Sequence, residues 1–329
     1  PTGGPLPPTA RRLPLPAQGL GCMRMTGEPD SAGDLSGREV IHRALDLGVT
    51  MLDTAELYGN GRNEELVGRA LRGRPGRSRR GEALLCTKVG ALIGPNDSLV
   101  LRGDPDHIRA ACRNSLSRLD TDVIDLWYLH RRDPKVPIEE SVGAMAEEVA
   151  AGRVRAIGLS AVTAAELRAA HAVHPITALQ SSWSLTDRTI EDPTGTEGDG
   201  THSVTTVCAE LGVAVVPYAP QGAGLLAGAA PGARPDERGP SGDSEELRAL
   251  RGVVDDVARR HGALPGQIAL AWSASRADEL GVPVVPIPGT TRLAHLEENA
   301  AARDIVLSPD DLAALDTASA ALWRRDRSG

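Results

Sequence analysis

Three polar residues close three successive apolar runs in this chain of 329 residues: Asp53 ends "VTMLD", Lys88 ends "ALLCTK" and His130 ends "VIDLWYLH". Tyr58 follows shortly after Asp53, in "LDTAELYGNGRNEEL". A tyrosine hydroxyl ordinarily keeps its proton up to about pH 10, too firmly for easy exchange near neutrality. An ammonium beside it stabilises the tyrosinate, and a carboxylate beside that ammonium holds it in place and keeps it charged. Asp53, Lys88 and Tyr58 together can therefore form a tuned proton donor, with His130 placed to orient a carbonyl oxygen or share the proton. Such a donor needs a hydride source to complete a reduction. Singly, each residue has a plainer reading: a turn-capping aspartate, a packed tyrosine, a structural histidine, a lysine reaching into solvent. The conjunction counts only if the fold brings three strand ends together.

The elements that could do so alternate along the chain. Strand-like runs are "AQGLGCM", "VTMLD", "ALLCTK", "VIDLWYLH", "VRAIGLS", "ITALQ", "VAVVPY" and "VPVVPIPG", and helical stripes lie between them. Ser36 and Glu39 form a capping box ahead of Val40, Ile41, Ala44 and Leu45. Asp104 and Pro105 open a helix carrying Ile108, Cys112, Leu116 and Leu119 on one face. Ile138, Val142, Met145 and Val149 form another stripe, ended by Gly152. Thr163 and Glu166 form a further capping box, and Gly212 ends the stripe of Val204, Val207, Cys208 and Leu211. A longer stripe runs through Leu247, Leu250, Val254 and Val257. Continuous apolar strands suit a parallel sheet covered on both faces, and about eight strand–helix units predict a closed (β/α)8 barrel. Residues 1–329 are read as one such domain, with long loops at the C-terminal face of the strands.

Composition narrows the function. A hydrophobic fraction of 41% and a charged fraction of 24% are those of a globular protein. The net charge of −8 argues against a nucleic-acid surface, and the basic run "RGRPGRSRR" at 72–80 reads as a solvated loop. No apolar run approaches the roughly 20 residues that span a bilayer, and no signal-peptide pattern opens the chain, so a cytoplasmic protein is expected. Cys22, Cys86, Cys112 and Cys208 are scattered without metal spacing. Neither a disulfide framework nor a metal site is expected, and a metal-dependent hydrolase would need more strand-end ligands than Asp53 and His130. The glycine-rich "GAGLLAG" at 222–228 lacks the spacing of a dinucleotide-binding fingerprint. There are 34 Arg against two Lys, Lys88 and Lys135, which makes a retained lysine notable.

In order, "LDTAELYGNGRNEELVGRAL", "CTKVG", "WYLHR", "IGLS", "LQSSWSL", "PYAPQGAGLLAG" and "PIPGTTRLAHLEENAA" resemble the successive motifs of the aldo-keto reductases, from about residue 19 to about residue 305. "GLGCMRM" and "HAVHPITALQ" look most like the pyridoxal-reductase and related bacterial-type branches. The resemblance implies an NADPH-dependent oxidoreductase that reduces an aldehyde or ketone by direct hydride transfer. It makes Tyr58 the general acid, Lys88 and Asp53 its pKa-lowering pair, and His130 the group that orients the substrate. It also implies that Ser160 and Gln180 hold the nicotinamide carboxamide and that Tyr218 stacks on the nicotinamide ring. Gly289, Thr290, Arg292, Glu298 and Asn299 match the adenosine-phosphate end, where a helix N-terminus and an arginine suit a 2′-phosphate. NADP(H) is therefore the expected cofactor and a small carbonyl compound the expected substrate. Ala161 stands where the family often has asparagine, and His295 where it often has arginine. The alternative is a cofactor-binding regulatory subunit with little turnover, against which the intact four catalytic positions speak. Segments 89–104, 191–202 and 227–243 are the expected specificity loops. Pyridoxal, a keto-sugar and a secondary-metabolite ketone remain open as substrates, and the oligomeric state is not encoded in any pattern found.

Overall fold

The computed structural model describes residues 13–27, 31–73, 78–226 and 244–326. Its main sheet contains seven parallel strands in spatial order β1-β2-β3-β6-β7-β8-β9. These are β1 (Gly19–Gly21), β2 (Met51–Asp53), β3 (Leu84–Val89), β6 (Leu126–Leu129), β7 (Ile157–Ser160), β8 (Ile176–Ser182) and β9 (Ala214–Tyr218). Seven of the eight expected strands are thus present as ladders.

The eighth, "VPVVPIPG", closes the barrel without becoming a regular strand. Its contacts are isolated bridges, Val215 with Val284 and Gly21 with Gly289. Val285 and Ile287 donate backbone bonds to Val215 and Pro217, while the carbonyls of Pro286 and Pro288 accept from Gly19 and Gly21. Pro283, Pro286 and Pro288 have no N–H to give, so the segment touches both neighbours through an incomplete ladder.

Alternation along the strands explains which side chains meet at the site. Met51, Cys86, Leu126, Tyr128, Ala178, Ala214 and Val216 belong to an inner apolar cluster; Leu52, Leu85, Trp127, Leu129 and Val215 belong to the larger cluster that includes the helices. Side chains two apart share a face. Counting in twos from the inner residues reaches Asp53, Lys88, His130, Gln180 and Tyr218. Every polar residue expected at a strand end therefore has the parity of the barrel interior. The interior is tight: a Cβ on Gly158 would lie 2.4 Å from a Tyr128 ring carbon.

The flanking helices are α1 (Ala32–Asp46), α2 (Arg62–Arg72), α3 (Pro105–Leu119), α4 (Ile138–Ala150), α5 (Ala164–Val173), α6 (Val204–Leu211), α7 (Glu245–His261), α8 (Pro265–Leu280), α9 (Leu293–Ala301) and α10 (Pro309–Asp326). Asp104 caps α3 by accepting from the His107 amide, and the Thr163–Glu166 capping box is formed at α5. The expected box at Ser36 and Glu39 is not formed: α1 already begins at Ala32, and the Ser36 hydroxyl donates instead to the Thr291 carbonyl at 3.4 Å. Within the expected loop 89–104, β4 (Ala91–Ile93) pairs antiparallel with β5 (Leu99–Leu101). The expected loop 227–243 and part of the basic run at 72–80 lie outside the described residues. No helix among the described residues is long and apolar enough to cross a membrane.

Candidate active site

β2 delivers Asp53 and β3 delivers Lys88 to the same inner layer, and both are buried, Lys88 completely. The Lys88 ammonium donates to the Asp53 carboxylate, to the Thr54 carbonyl at 2.9 Å and to the Tyr58 hydroxyl at 3.2 Å. It thus has three acceptors for its three protons. His130 follows β6, and its ring meets the Tyr58 ring edge-on with centroids 5.7 Å apart and planes at 89°. The four residues expected from the sequence to act together are therefore assembled.

Tyr58 is held from both sides of the chain. Its amide donates to the Ala55 carbonyl at 3.1 Å. After it come Gly59, Asn60 and Gly61, all in the left-handed region with φ of 59°, 53° and 88°. Two glycines and an asparagine are the residue types that enter this region at least cost, and the reversal leads straight into α2.

The first turn of α2 anchors the arrangement in a way the sequence reading did not anticipate. Asn63 and Glu64, polar residues at a helix start, are only 2% and 0% exposed. The Asn63 amide group donates to the carbonyls of Cys22 and Met25 and its oxygen accepts from the Thr54 hydroxyl at 2.6 Å. Glu64 accepts from Thr87 and Arg118, each at 2.6 Å. The residues next to Asp53 and Lys88 are thereby fixed to one helix. On the far side of Lys88, the Glu56 carboxylate accepts from the Gly90 amide at 2.8 Å.

Electrostatics favour a charged lysine and a protonated tyrosine. Burial works against the Lys88 charge, but the Asp53 carboxylate and the Tyr58 hydroxyl outweigh it and hold Lys88 above the usual ammonium range. Burial likewise pushes the Tyr58 hydroxyl above its ordinary value; Lys88 opposes that rise and Asp53 adds to it. The lysine acts in the direction the sequence reading expected, while the net shift runs the other way because desolvation is the larger effect. Tyr58 accordingly carries its proton at neutral pH, as a donor must.

Two of the residues matched to the nicotinamide join this network. Gln180 Nε2 donates to the other Asp53 oxygen at 2.8 Å. Ser160 is 1% exposed at the end of β7, and its hydroxyl accepts from Arg131 Nη1 at 3.1 Å. The same Arg131 nitrogen donates to the His130 carbonyl at 2.9 Å. Arg131 was not singled out from the sequence; the only signal was its place in "WYLHR". Tyr218 ends β9, half-buried.

The remaining five gather where the incomplete eighth strand meets α9. Gly289 bridges Gly21, and a Cβ there would come within 3.1 Å of the Gly21 carbonyl oxygen. Thr290 is buried, and its hydroxyl accepts from the Arg292 amide at 3.1 Å. Arg292 is exposed at the N-cap of α9, and Glu298 is half-buried. The Asn299 oxygen accepts from Gln221 Nε2 at 2.9 Å, linking α9 to the loop after β9. A dinucleotide with an extra phosphate suits this donor set: a side-chain-free backbone at Gly289, the amides of a helix start, and an unburied guanidinium. Among the described residues no group of three or more His, Cys, Asp or Glu could hold a metal ion, and all four cysteines are free and buried.

Ala161, Ala219 and Ala223 lie on the loops that follow β7 and β9 with φ of 48°, 50° and 54°. Alanine in the left-handed region costs about 1–2 kcal/mol. Ala161→Gly should therefore raise stability by about 0.5–1 kcal/mol after glycine's greater unfolded-state freedom is deducted. Urea denaturation checks this, and a loss of stability would mean that the Ala161 backbone is not strained.

Comparison with known proteins agrees with the geometry. Residues 18–320 match the family model described as "Aldo/keto reductase family". A probable aldo-keto reductase of Glycine max is 38% identical over 303 residues, which is 89% of this chain and 82% of that protein. An aldo/keto reductase from Klebsiella pneumoniae, solved with NADP and acetate, superposes with a TM-score of 0.70 at 28% identity, over 92% of this chain and 91% of that one. The glycerol dehydrogenase of Gluconobacter oxydans superposes with a TM-score of 0.78 at 27% identity, over 94% and 92%.

Proposed function

The chain belongs to the aldo/keto reductase family, and from that premise we propose that it is a single catalytic barrel that reduces an aldehyde or ketone to an alcohol with NADPH, Tyr58 giving the proton. The observation that carries this reading is the Lys88 ammonium bonded at once to Asp53, the Thr54 carbonyl and Tyr58. Such an arrangement has one obvious chemical use. The nicotinamide of the bound cofactor supplies the hydride. Tyr58 donates its proton to the carbonyl oxygen as negative charge develops there, and Lys88 stabilises the tyrosinate left behind. Asp53 keeps the ammonium charged and placed. His130, edge-on to Tyr58, orients the carbonyl oxygen toward the hydroxyl.

Ser160 and Gln180 are the residues that would hold the carboxamide, and Tyr218 the ring that would stack on the nicotinamide. Gly289, Thr290, Arg292, Glu298 and Asn299 would hold the adenosine-phosphate end. NADP(H) is supported by the Klebsiella relative solved with NADP and by Arg292 standing exposed at the start of α9. The Gluconobacter relative is a glycerol dehydrogenase, so the reverse direction, alcohol oxidation with Tyr58 accepting the proton, belongs to the same proposal.

The reading is tested by following NADPH absorbance with purified protein and a panel of aldehydes and ketones that includes pyridoxal. Turnover of one carbonyl class supports it and names the substrate; absence of NADPH binding would remove it. Arg292→Ala should weaken NADPH binding about tenfold or more, the loss of one charge-assisted contact, with little effect on NADH. Fluorescence titration with both cofactors checks this, and an equal loss for the two would contradict a 2′-phosphate role.

A further inference from the structure

Lys88 is not the only cation directed at the proton donor. Arg131 follows His130 directly after β6, and one of its terminal nitrogens bonds both the His130 carbonyl and the Ser160 hydroxyl. This single guanidinium therefore ties the strand end that carries the substrate-orienting histidine to the strand end that carries a carboxamide ligand. It spans the ends of β6 and β7 next to His130, whose ring meets Tyr58 edge-on, and its charge acts on the Tyr58 hydroxyl in the same direction as Lys88. We infer that Arg131 is a positioning residue of the proposed reduction, holding Ser160 against the His130 backbone and setting a second positive charge against Tyr58. The inference rests on the reductase reading for its purpose, but not for its electrostatics.

The groups that face these two residues are few. Around Tyr58 stand Asp53 from β2, Lys88 from β3, and His130 and Arg131 after β6. Arg131 also faces Glu197, in the loop after β8, whose carboxyl is raised by burial and by the neighbouring Asp187 while Arg131 opposes the rise. Among the described residues no carboxylate lies within ion-pair distance of Arg131, and Glu197 acts on it from farther off. Arginine suits the position because one terminal nitrogen carries two N–H groups for the two acceptors and the guanidinium stays charged at any working pH.

The chain has only three tyrosines, Tyr58, Tyr128 and Tyr218, so phenolate absorbance can isolate Tyr58. The titration is run on the full chain and on R131M and R131K, subtracting in each background the curve of the same protein carrying Tyr58→Phe. The expected result is an upward shift of the Tyr58 midpoint by roughly 0.5–1 pH unit in R131M and almost none in R131K, which keeps the charge. Both variants should bind NADPH more weakly, because methionine donates no hydrogen bond and the shorter lysine places its ammonium short of the Arg131 nitrogen that holds Ser160. A merely structural arginine would leave the midpoint in place, and an unmoved midpoint in folded R131M overturns the inference. If the wild-type chain fails to turn over any carbonyl while the midpoint still shifts, the reductase reading falls and the placement of charge against Tyr58 stands.

Discussion

Tyr58→Phe should lower kcat/KM for carbonyl reduction by roughly 10²–10⁴-fold, the usual worth of a positioned general acid, while leaving NADPH affinity nearly unchanged. The substitution removes one oxygen and little else. The ring that meets His130 edge-on is retained, and Lys88 keeps the Asp53 carboxylate and the Thr54 carbonyl as acceptors. None of the residues assigned to the cofactor bonds the Tyr58 hydroxyl among the described contacts, so the binding equilibrium has no reason to move. The lost rate should therefore be lost at the chemical step. Single-turnover reduction at saturating NADPH measures that step, and fluorescence titration measures binding. Turnover close to wild type would remove Tyr58 from the mechanism, whatever the family of the chain.

Asp53→Ala should destabilise the fold by about 3–5 kcal/mol, because it leaves a fully buried ammonium without its counter-ion. For a domain of this size that corresponds to a fall in Tm of roughly 10 °C. The pH dependence has a definite sign. Lys88 lies above the usual ammonium range in the folded chain, so its pairing contributes fully below the ordinary lysine value and is lost as the pH rises through the folded one. At neutrality the whole contribution is present, and acidifying the wild-type chain to pH 6 should not disturb it. Combining Asp53→Asn with Lys88→Met removes both charges together and should recover most of the stability, since the penalty belongs to the unpaired charge. Reduction should remain largely lost, because the ammonium that bonds the Tyr58 hydroxyl is gone. Thermal denaturation and turnover of the single and double variants check this. A double variant as unstable as Asp53→Ala would show that packing, and not the stranded charge, carries the loss.

The barrel was legible because its strands are apolar throughout and its helices are striped, a contrast that survives without any knowledge of contacts. The strand-end acid, lysine and histidine were legible for the same reason, as polar full stops after apolar runs. What could not be read is whatever depends on register. The bond from Gln180 to Asp53 joins residues 127 apart in the chain, and nothing in either local sequence announces it. Arg131 looks like a surface residue until β6 and β7 are set side by side. Asn63 and Glu64 open a helix, where polar residues are common, and only the closure of α2 onto the strand ends buries them. The hairpin of β4 and β5 was hidden by its shortness, three residues a side around a glycine-proline-asparagine turn. The eighth strand was read as a strand for its valines and isoleucine, while its prolines limit it to a few bridges.

The burial of Lys88 has a consequence for the company it keeps. Primary amines condense with aldehydes and ketones to form imines, and the attacking species is the free amine with its lone pair. A reductase of this design must set a lysine within a few bonds of a reactive carbonyl and still release a clean alcohol. Held protonated by Asp53, with each N–H committed to an acceptor, Lys88 has no lone pair to offer. The carboxylate that keeps the ammonium charged beside the tyrosine also makes that nitrogen chemically inert. The other lysine of the chain, Lys135, is exposed to solvent, so the protein meets its carbonyl substrates with a single accessible lysine amine.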